Sequence, residues 1–342
     1  MKVTINDVAK LAGVSMKTVS RVINNEPSVR KKTHDIVMAA VNELNYQPNL
    51  AARNLAGTSS YAIGLVYDNP NAYYVIDMQN GVLSHCRKEG YELVIHPCSY
   101  ADSTMQEELK TMIKRSRIAG LVLTPPLSEQ QALIDMLDEM GMHYVRILSG
   151  RGDSEQTSPC IYVNDYAAAY EITSHLISLG HRNIAFICGD QGHKSTTERL
   201  AGYEQALQDH SIKVREELIY RGDYSFESGV NGAKALLKEG NRLNISAVMG
   251  GNDEIAAGAL FAARLMDMAI PDELSITGFE DSPFSKQTWP KLTTAHQDND
   301  VISQHAARLL FSKTRGARNQ DKEIIRTFTP SLVMRDSSGP LS

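Results

Sequence analysis

The sequence predicts an all-α helix-turn-helix head joined to an α/β body. Three observations carry this reading. The first 47 residues hold three short segments with apolar residues at helical spacing. Beyond Ser60 the pattern changes period, and short apolar runs alternate with amphipathic segments. Charge divides at the same place: residues 1–60 carry eight basic side chains against four acidic ones, a net +4, within a chain of formal charge −5. The 342 residues exceed one ordinary core, and 42% hydrophobic with 22% charged residues is a globular composition.

The head comes first. Thr4 stands before INDVAKLA as an N-cap, with Asp7 at the third helical position able to reciprocate. Val8, Leu11 and Ala12 recur at helical spacing, and Gly13 ends the helix as a residue that tolerates positive φ. Ser15 caps a second helix whose Val19, Val22 and Ile23 form an i, i+3, i+4 stripe. Helix, glycine turn and helix make the helix-turn-helix arrangement. A third segment turns Ile36, Val37, Ala40, Val41 and Leu44 inward, and Pro48 halts it. These limits give a head of residues 1–47 and a hinge of 48–60. In the hinge, Asn49 can cap a short turn from Leu50 to Leu55, marginal on its own, before the flexible Gly57–Ser60 joint.

Met16, Lys17, Ser20 and Arg21 lie away from the apolar stripe of the second helix. If its N-terminus enters the major groove, these side chains meet base edges. Ser15 and Thr18 sit at its positive end, where phosphates are favoured. A basic head on an acidic body separates phosphate neutralisation from the work of the remainder.

The body, residues 61–342, reads YAIGLVYD, YELVIHPC, AGLVLTPP, HYVRILS, NIAFICGD, SAVMGGND and ELSITGFED as strands separated by helices. That alternation implies parallel sheets covered on both faces, and the length suits two of them. Ligands of such sheets bind outside the strands' carboxyl ends. Those ends here offer Asp68 and Asn69, Thr124 to Pro126, Arg146 and Ser149, Gly189 and Asp190, Gly251 to Asp253, and Glu280 with Asp281, all expected to line a cleft.

Several classes are disfavoured. No metalloprotease, nucleophile-elbow or phosphate-loop motif is present, and the four cysteines are widely spaced, so neither a metal nor a cofactor is expected. No stretch approaches a membrane span, and the first residues lack a signal peptide's apolar core. A cytoplasmic protein is expected.

TINDVAKLAGVSMKTVSRVIN followed by LNYQPNLAARNLAG resembles the head and hinge of the LacI/GalR family of bacterial repressors. LGHRNIAFI, ERLAGY, GGNDEIAAGAL, PDELSITGFEDS and LTTAHQD extend the resemblance over nearly the whole chain. It implies base contacts from Met16, Lys17 and Arg21, and phosphate contacts from Ser15, Thr18, Ser20, Asn24 and Thr33. It implies a hinge helix that folds on DNA and inserts Leu55 into the minor groove, with Asn49 and Ala52 beside it. For the body it implies a periplasmic-binding-protein-like form of two flavodoxin-like lobes joined by three crossovers. The expected lobes are about 61–162 with 293–325, and about 163–292 with 326–336. The family's ligand arginine matches Arg199, its asparagine Asn252, its aromatic wall Tyr224 and its cleft acid Glu280, where glutamate replaces the usual aspartate. Arg146 stands where some members carry an aspartate.

Sugars need planar donors and acceptors for hydroxyls, and rings for their apolar faces. Arg146, Arg199, Asn252, Glu280 and Gln297 can supply the first, and Tyr73, Tyr74 and Tyr224 the second, with Ser195 and Thr124 as weaker candidates. A purine or nucleoside stacks on the same rings. The expectation is a ligand-responsive regulator, a homodimer on a double-stranded, pseudo-palindromic operator, released by a small sugar. No apolar heptad run follows TFTPSLVMRDSS, which favours dimer over tetramer. Two other readings stand beside it: a sugar-acting enzyme using Asp253 or Glu280 as base, and an architectural DNA binder with a ligand-blind body.

Overall fold

The computed structural model describes residues 3–23, 29–46, 61–152, 158–238, 243–314 and 324–341. The chain divides into two compact units, 1–61 and 62–342.

In the first unit, helices α1 (Ile5–Ala12), α2 (Met16–Ile23) and α3 (Lys31–Glu43) close on a core of Val8, Ala9, Val19, Val22, Val37 and Ala40. The Asp7 carboxylate accepts from both the backbone N–H and the hydroxyl of Thr4, at 2.8 and 2.7 Å. Those bonds hold its pKa below the ordinary value. Gly13 ends α1 in the left-handed region at φ 65°. Ser15 Oγ accepts from the Thr18 N–H at the start of α2. Two expected core positions differ. Leu11 and Ile36 are 46% and 45% exposed. Each lies on the flank of its helix's buried stripe, since at about 100° per residue Leu11 stands about 60° from Val8 and Ile36 about 40° from Ala40.

The body's strands are β1 (Ala62–Tyr67), β2 (Glu92–Pro97), β3 (Ile118–Leu123), β4 (Tyr144–Ser149), β5 (Cys160–Val163), β6 (Ile184–Cys188), β7 (Ile219–Arg221), β8 (Ala247–Gly250), β9 (Ser275–Thr277), β10 (Thr294–His296), β11 (Thr327–Phe328) and β12 (Ser331–Val333). Its helices are α4 (Ala72–Glu89), α5 (Met105–Ser116), α6 (Gln131–Glu139), α7 (Asp165–Ser178), α8 (Lys194–Asp209), α9 (Phe226–Leu236), α10 (Asp253–Leu265), α11 (Pro283–Gln287) and α12 (Asn299–Thr314).

One parallel sheet has the order β11-β5-β4-β3-β1-β2, and a second has β7-β6-β8-β9. Both follow the flavodoxin-like winding. Strands β4 and β6 are buried at every position, as a sheet covered on both faces requires. The edge strand β2 mixes exposed with half-buried residues and buries none fully. On the first sheet, α4 and α12 bury Met78, Val82, Ile302 and Leu310 against one face, and α5 and α6 bury Leu109 and Leu137 against the other. On the second, α9 and α10 cover one face and α7 and α8 the other.

Strand β10 pairs antiparallel with β12 and bridges to the second sheet through Thr293 and Thr277. Two lobe limits therefore move. Residues 294–296, expected in the first lobe, lie with the second. Thr327–Phe328, expected in the second, pair with β5 in the first. The chain crosses between the lobes at 164, at 297–298 and at 329–330.

Helix pairs meet closely where one member carries glycine. A Cβ on Gly258 of α10 would stand 2.1 Å from the Phe226 carbonyl oxygen of α9, and one on Gly202 of α8 would stand 2.2 Å from that of Tyr166 in α7. Gly258→Ala is expected to force α9 and α10 apart at a cost of about 1–3 kcal/mol. The measurement is the urea midpoint at unchanged slope.

Candidate functional site

The head presents its candidate residues around the start of α2. Ser15, Met16, Lys17 and Arg21 are exposed, and Thr18, Ser20 and Thr33 are half-buried. Met16, an apolar residue on the first turn, is 52% exposed. Burial of Val19 and Val22 fixes this outward face. Asn24, Asn49, Ala52 and Leu55 lie outside the described residues.

In the body, the carboxyl ends of both sheets open on one cleft between the lobes, lined among others by Asn69, Asn71, Tyr74, Ser149, Asp165 and His193. Ser195, Arg199, Tyr224, Asn252, Glu280 and Gln297 complete its polar wall. Arg199 is the centre. It rises from α8, its Nε donates to Asp165 Oδ1 at 2.8 Å, and Nη1 donates to the Gly251 carbonyl at 2.5 Å. Its guanidinium lies over the Phe279 ring, 3.8 Å from the centroid, and 3.9 Å from Glu280 Oε1. Burial alone lowers the pKa of such a cation; Asp165, then Tyr224 and Glu280, reverse this and hold it above its ordinary value. Ser149 Oγ donates to the other oxygen of Asp165 at 2.5 Å. Arg199 therefore pairs with Asp165 and not with its helix neighbours Glu198 or Glu204.

Two asparagines cap helices at the cleft with their amide oxygens. Asn71 caps α4 by accepting from the N–H groups of Tyr73 and Tyr74, while its Nδ2 donates across the cleft to Glu280 Oε2 at 2.8 Å. Asn252 caps α10 by accepting from the Ile255 N–H at 2.8 Å. Its Nδ2 is buried and has no protein partner, and the same holds for Oε1 of Gln297. Tyr224 presents its ring, with its hydroxyl held by Ser195 and Thr196 at 3.0 and 2.8 Å. His193 stands edge-on to that ring, and burial lowers its pKa. Glu129 bridges the lobes, accepting from the Lys194 N–H at 3.2 Å.

Arg199, Tyr224, Asn252, Glu280, Gln297, Ser195 and Asn69 thus come together. Asp68, Tyr73, Thr124 and Arg146 do not line the cleft, and of the strand-end residues neither do Asp190, Asp253 and Asp281. Arg146 lies within β4, where its Nε donates to the Ser128 carbonyl at 2.6 Å; Ser149, at the strand's end, faces the cleft instead. Tyr73 turns outward to an edge-on contact with Phe284, and Tyr74, next along the helix, lines the wall. Thr124 is wholly buried near the Val66 carbonyl. Asp68 accepts the Tyr100 N–H at 2.7 Å. Asn71, Asp165 and His193 carried no sequence signal beyond their place after strand ends or beside a motif. Asp253 is wholly buried behind the cleft, its oxygens taken by Thr294 and the Ser282 N–H at 2.6 and 2.7 Å.

Burial pushes Glu280 up to about 8, with Arg199 restraining the rise, and pushes Asp253 up to about 7 against its hydrogen bonds. A carboxyl raised in the folded state contributes stability that is complete below its unfolded pKa and is lost as pH rises through the folded one. Both groups therefore weaken the body on going from acid towards about pH 8. Glu280→Gln is expected to flatten the upper part of that decline, and Asp253→Asn the part centred lower. Thermal melts of parent and variants across that range check it, and parallel slopes would count against it.

Comparison with known proteins agrees with this geometry. "Bacterial regulatory proteins, lacI family" matches residues 4–49, and "Periplasmic binding protein-like domain" matches residues 173–338. The chain is 31% identical to the HTH-type transcriptional regulator DegA of Bacillus subtilis (strain 168), over 100% of each chain. It is 31% identical to the HTH-type transcriptional repressor PurR of Actinobacillus pleuropneumoniae serotype 3, over 98% of each. A transcriptional regulator CelR–cellobiose complex superposes with TM-score 0.73 at 28% identity, covering 98% of this chain and 99% of that one. The lac repressor dimer bound to operator and the anti-inducer ONPF gives 0.76 at 28%, covering 99% and 100%. Head, parallel two-lobed body and full-length similarity all point one way: the chain belongs to the LacI family of bacterial DNA-binding transcriptional regulators.

Proposed function

We propose that the chain represses transcription as a homodimer on a pseudo-palindromic operator, and that a small sugar seated between the lobes releases it. The unpartnered pair in the cleft wall, Asn252 Nδ2 and Gln297 Oε1, carries the ligand half of this reading. One is a donor and the other an acceptor, and a hydroxyl is both. Tyr224 offers a ring for a sugar's apolar face. A solved relative is a complex with cellobiose, and another is a dimer on its operator. Two heads related by a dimer axis read two half-sites. Ligand changes the angle between the lobes, and through it the hold of the two heads on the operator. Among the described residues no helix is long and apolar enough to cross a membrane, which accords with a cytoplasmic regulator.

Binding without turnover fits the wall better than catalysis does. Asp253, one candidate base, is sealed behind the cleft, and Glu280, the other, is held by Asn71.

DNA recovered by selection from a random pool is expected to be a palindrome. Arg21→Ala is expected to weaken binding to it by about 1–3 kcal/mol. Replacing Met16 or Lys17 should change which half-site is selected. Fluorescence anisotropy and repeat selections measure both, and unaltered half-sites would remove these residues from base reading. Titration of the protein–DNA complex with neutral sugars, and in parallel with nucleosides, is expected to release DNA in the sugar arm. Release by nucleosides alone would transfer the ligand to that class.

A further inference from the structure

We propose that Asp165 sets the charge selectivity of the cleft: by neutralising Arg199 it makes the site take an uncharged ligand and refuse a phosphorylated or carboxylated one. The ligand's being a sugar rests on the reading above; the charge selection does not.

Among the described residues of the wall, Arg199 is the one full cation, since burial favours neutral His193. Arg199 and Asp165 are both almost completely buried and are joined at 2.8 Å. An ion pair that is dry and hydrogen-bonded presents little net charge to a third group. Ser149 and the Gly251 carbonyl complete the pair on either side. Some guanidinium N–H groups remain for ligand oxygens, but as donors without an excess charge behind them.

The other features that attract anions are matched as well. A helix N-terminus binds anions through its unsatisfied N–H groups. Asn71 occupies two of those of α4, Asn252 one of α10, and Glu129 the first N–H of α8. The unpartnered wall atoms point the same way. A phosphate or carboxylate oxygen accepts from Asn252 Nδ2 but leaves Gln297 Oε1, an acceptor, unmatched. A hydroxyl satisfies both kinds.

The test uses the full-length protein, by thermal shift and calorimetric titration. The probes are glucose, galactose and cellobiose, glucose 6-phosphate and galactose 6-phosphate, glucuronate and galacturonate, and inorganic phosphate. The parent is expected to bind at least one neutral sugar, with its phosphorylated or uronate form at least about tenfold weaker. Asp165→Asn keeps the shape and exposes the charge of Arg199; it is expected to gain at least about tenfold in affinity for inorganic phosphate or for the anionic sugars. Asp165→Ser repeats the measurement with a smaller side chain should the asparagine variant fold poorly. An anionic sugar held by the parent as tightly as its neutral form overturns the proposal. So does a folded Asp165 variant with no gain for any anion. If no sugar binds the parent but the variants gain phosphate, charge selection stands and the sugar reading falls.

Discussion

Two parallel sheets end their strands towards the same space, and this constraint places everything the body does. Helices follow most strands in each lobe, so the carboxyl ends of those strands are also the neighbourhood of helix N-termini. The chain must therefore cap those helices in the cleft itself. Asparagine at 71 and 252 does so with the oxygen of its amide and keeps the nitrogen for other work. Aspartate would cap as well but, when ionised, would have no donor to aim at Glu280 or into the cleft. The residue that ends the loop and the residue that faces the ligand are one and the same.

A buried guanidinium costs several kcal/mol unless paired, and Arg199 shows how the fold meets that cost. Its plane rests on Phe279, its edge is shared between Asp165 and a backbone carbonyl, and each partner comes from a different part of the chain. Behind it, Asp253 ties the 278–282 loop to Thr294, and Asp281 gathers Ser285, Lys286, His296 and Arg335. Burial would raise the pKa of Asp281, but Arg335 and Ser285 outweigh it and hold the group below its ordinary value. Glu280 is thus placed by neighbours that are fixed, although its own φ of 100° lies in the left-handed region.

The head was legible almost residue by residue because cap, glycine and stripe are local signals. Its two misplacements, Leu11 and Ile36, are apolar residues on a helix flank, where sequence spacing is least decisive. The strands were legible as apolar runs, and with them the parallel architecture. Which strand-end residue faces the cleft was less so. Arg146 stands three residues before Ser149, within β4 and hydrogen-bonded to the Ser128 carbonyl, whereas Ser149 is the strand's last residue and reaches Asp165. Tyr73 and Tyr74 differ by one step of about 100° around α4. Asp165 gave no signal, because its partner lies 34 residues away and is brought to it only by the pairing of α7 with α8. Motif spacing reports what one segment contributes; it is silent about partners that meet across two helices.

The crossovers carry a consequence of their own. Asp165 directly follows the first crossing at 164, and Gln297 is part of the second. Both also line the cleft. A molecule bound there touches the axle on which the lobes turn, besides the two jaws. Binding strength and lobe angle then become a single coordinate, so that whatever fits this wall well also fixes how the two lobes stand to each other.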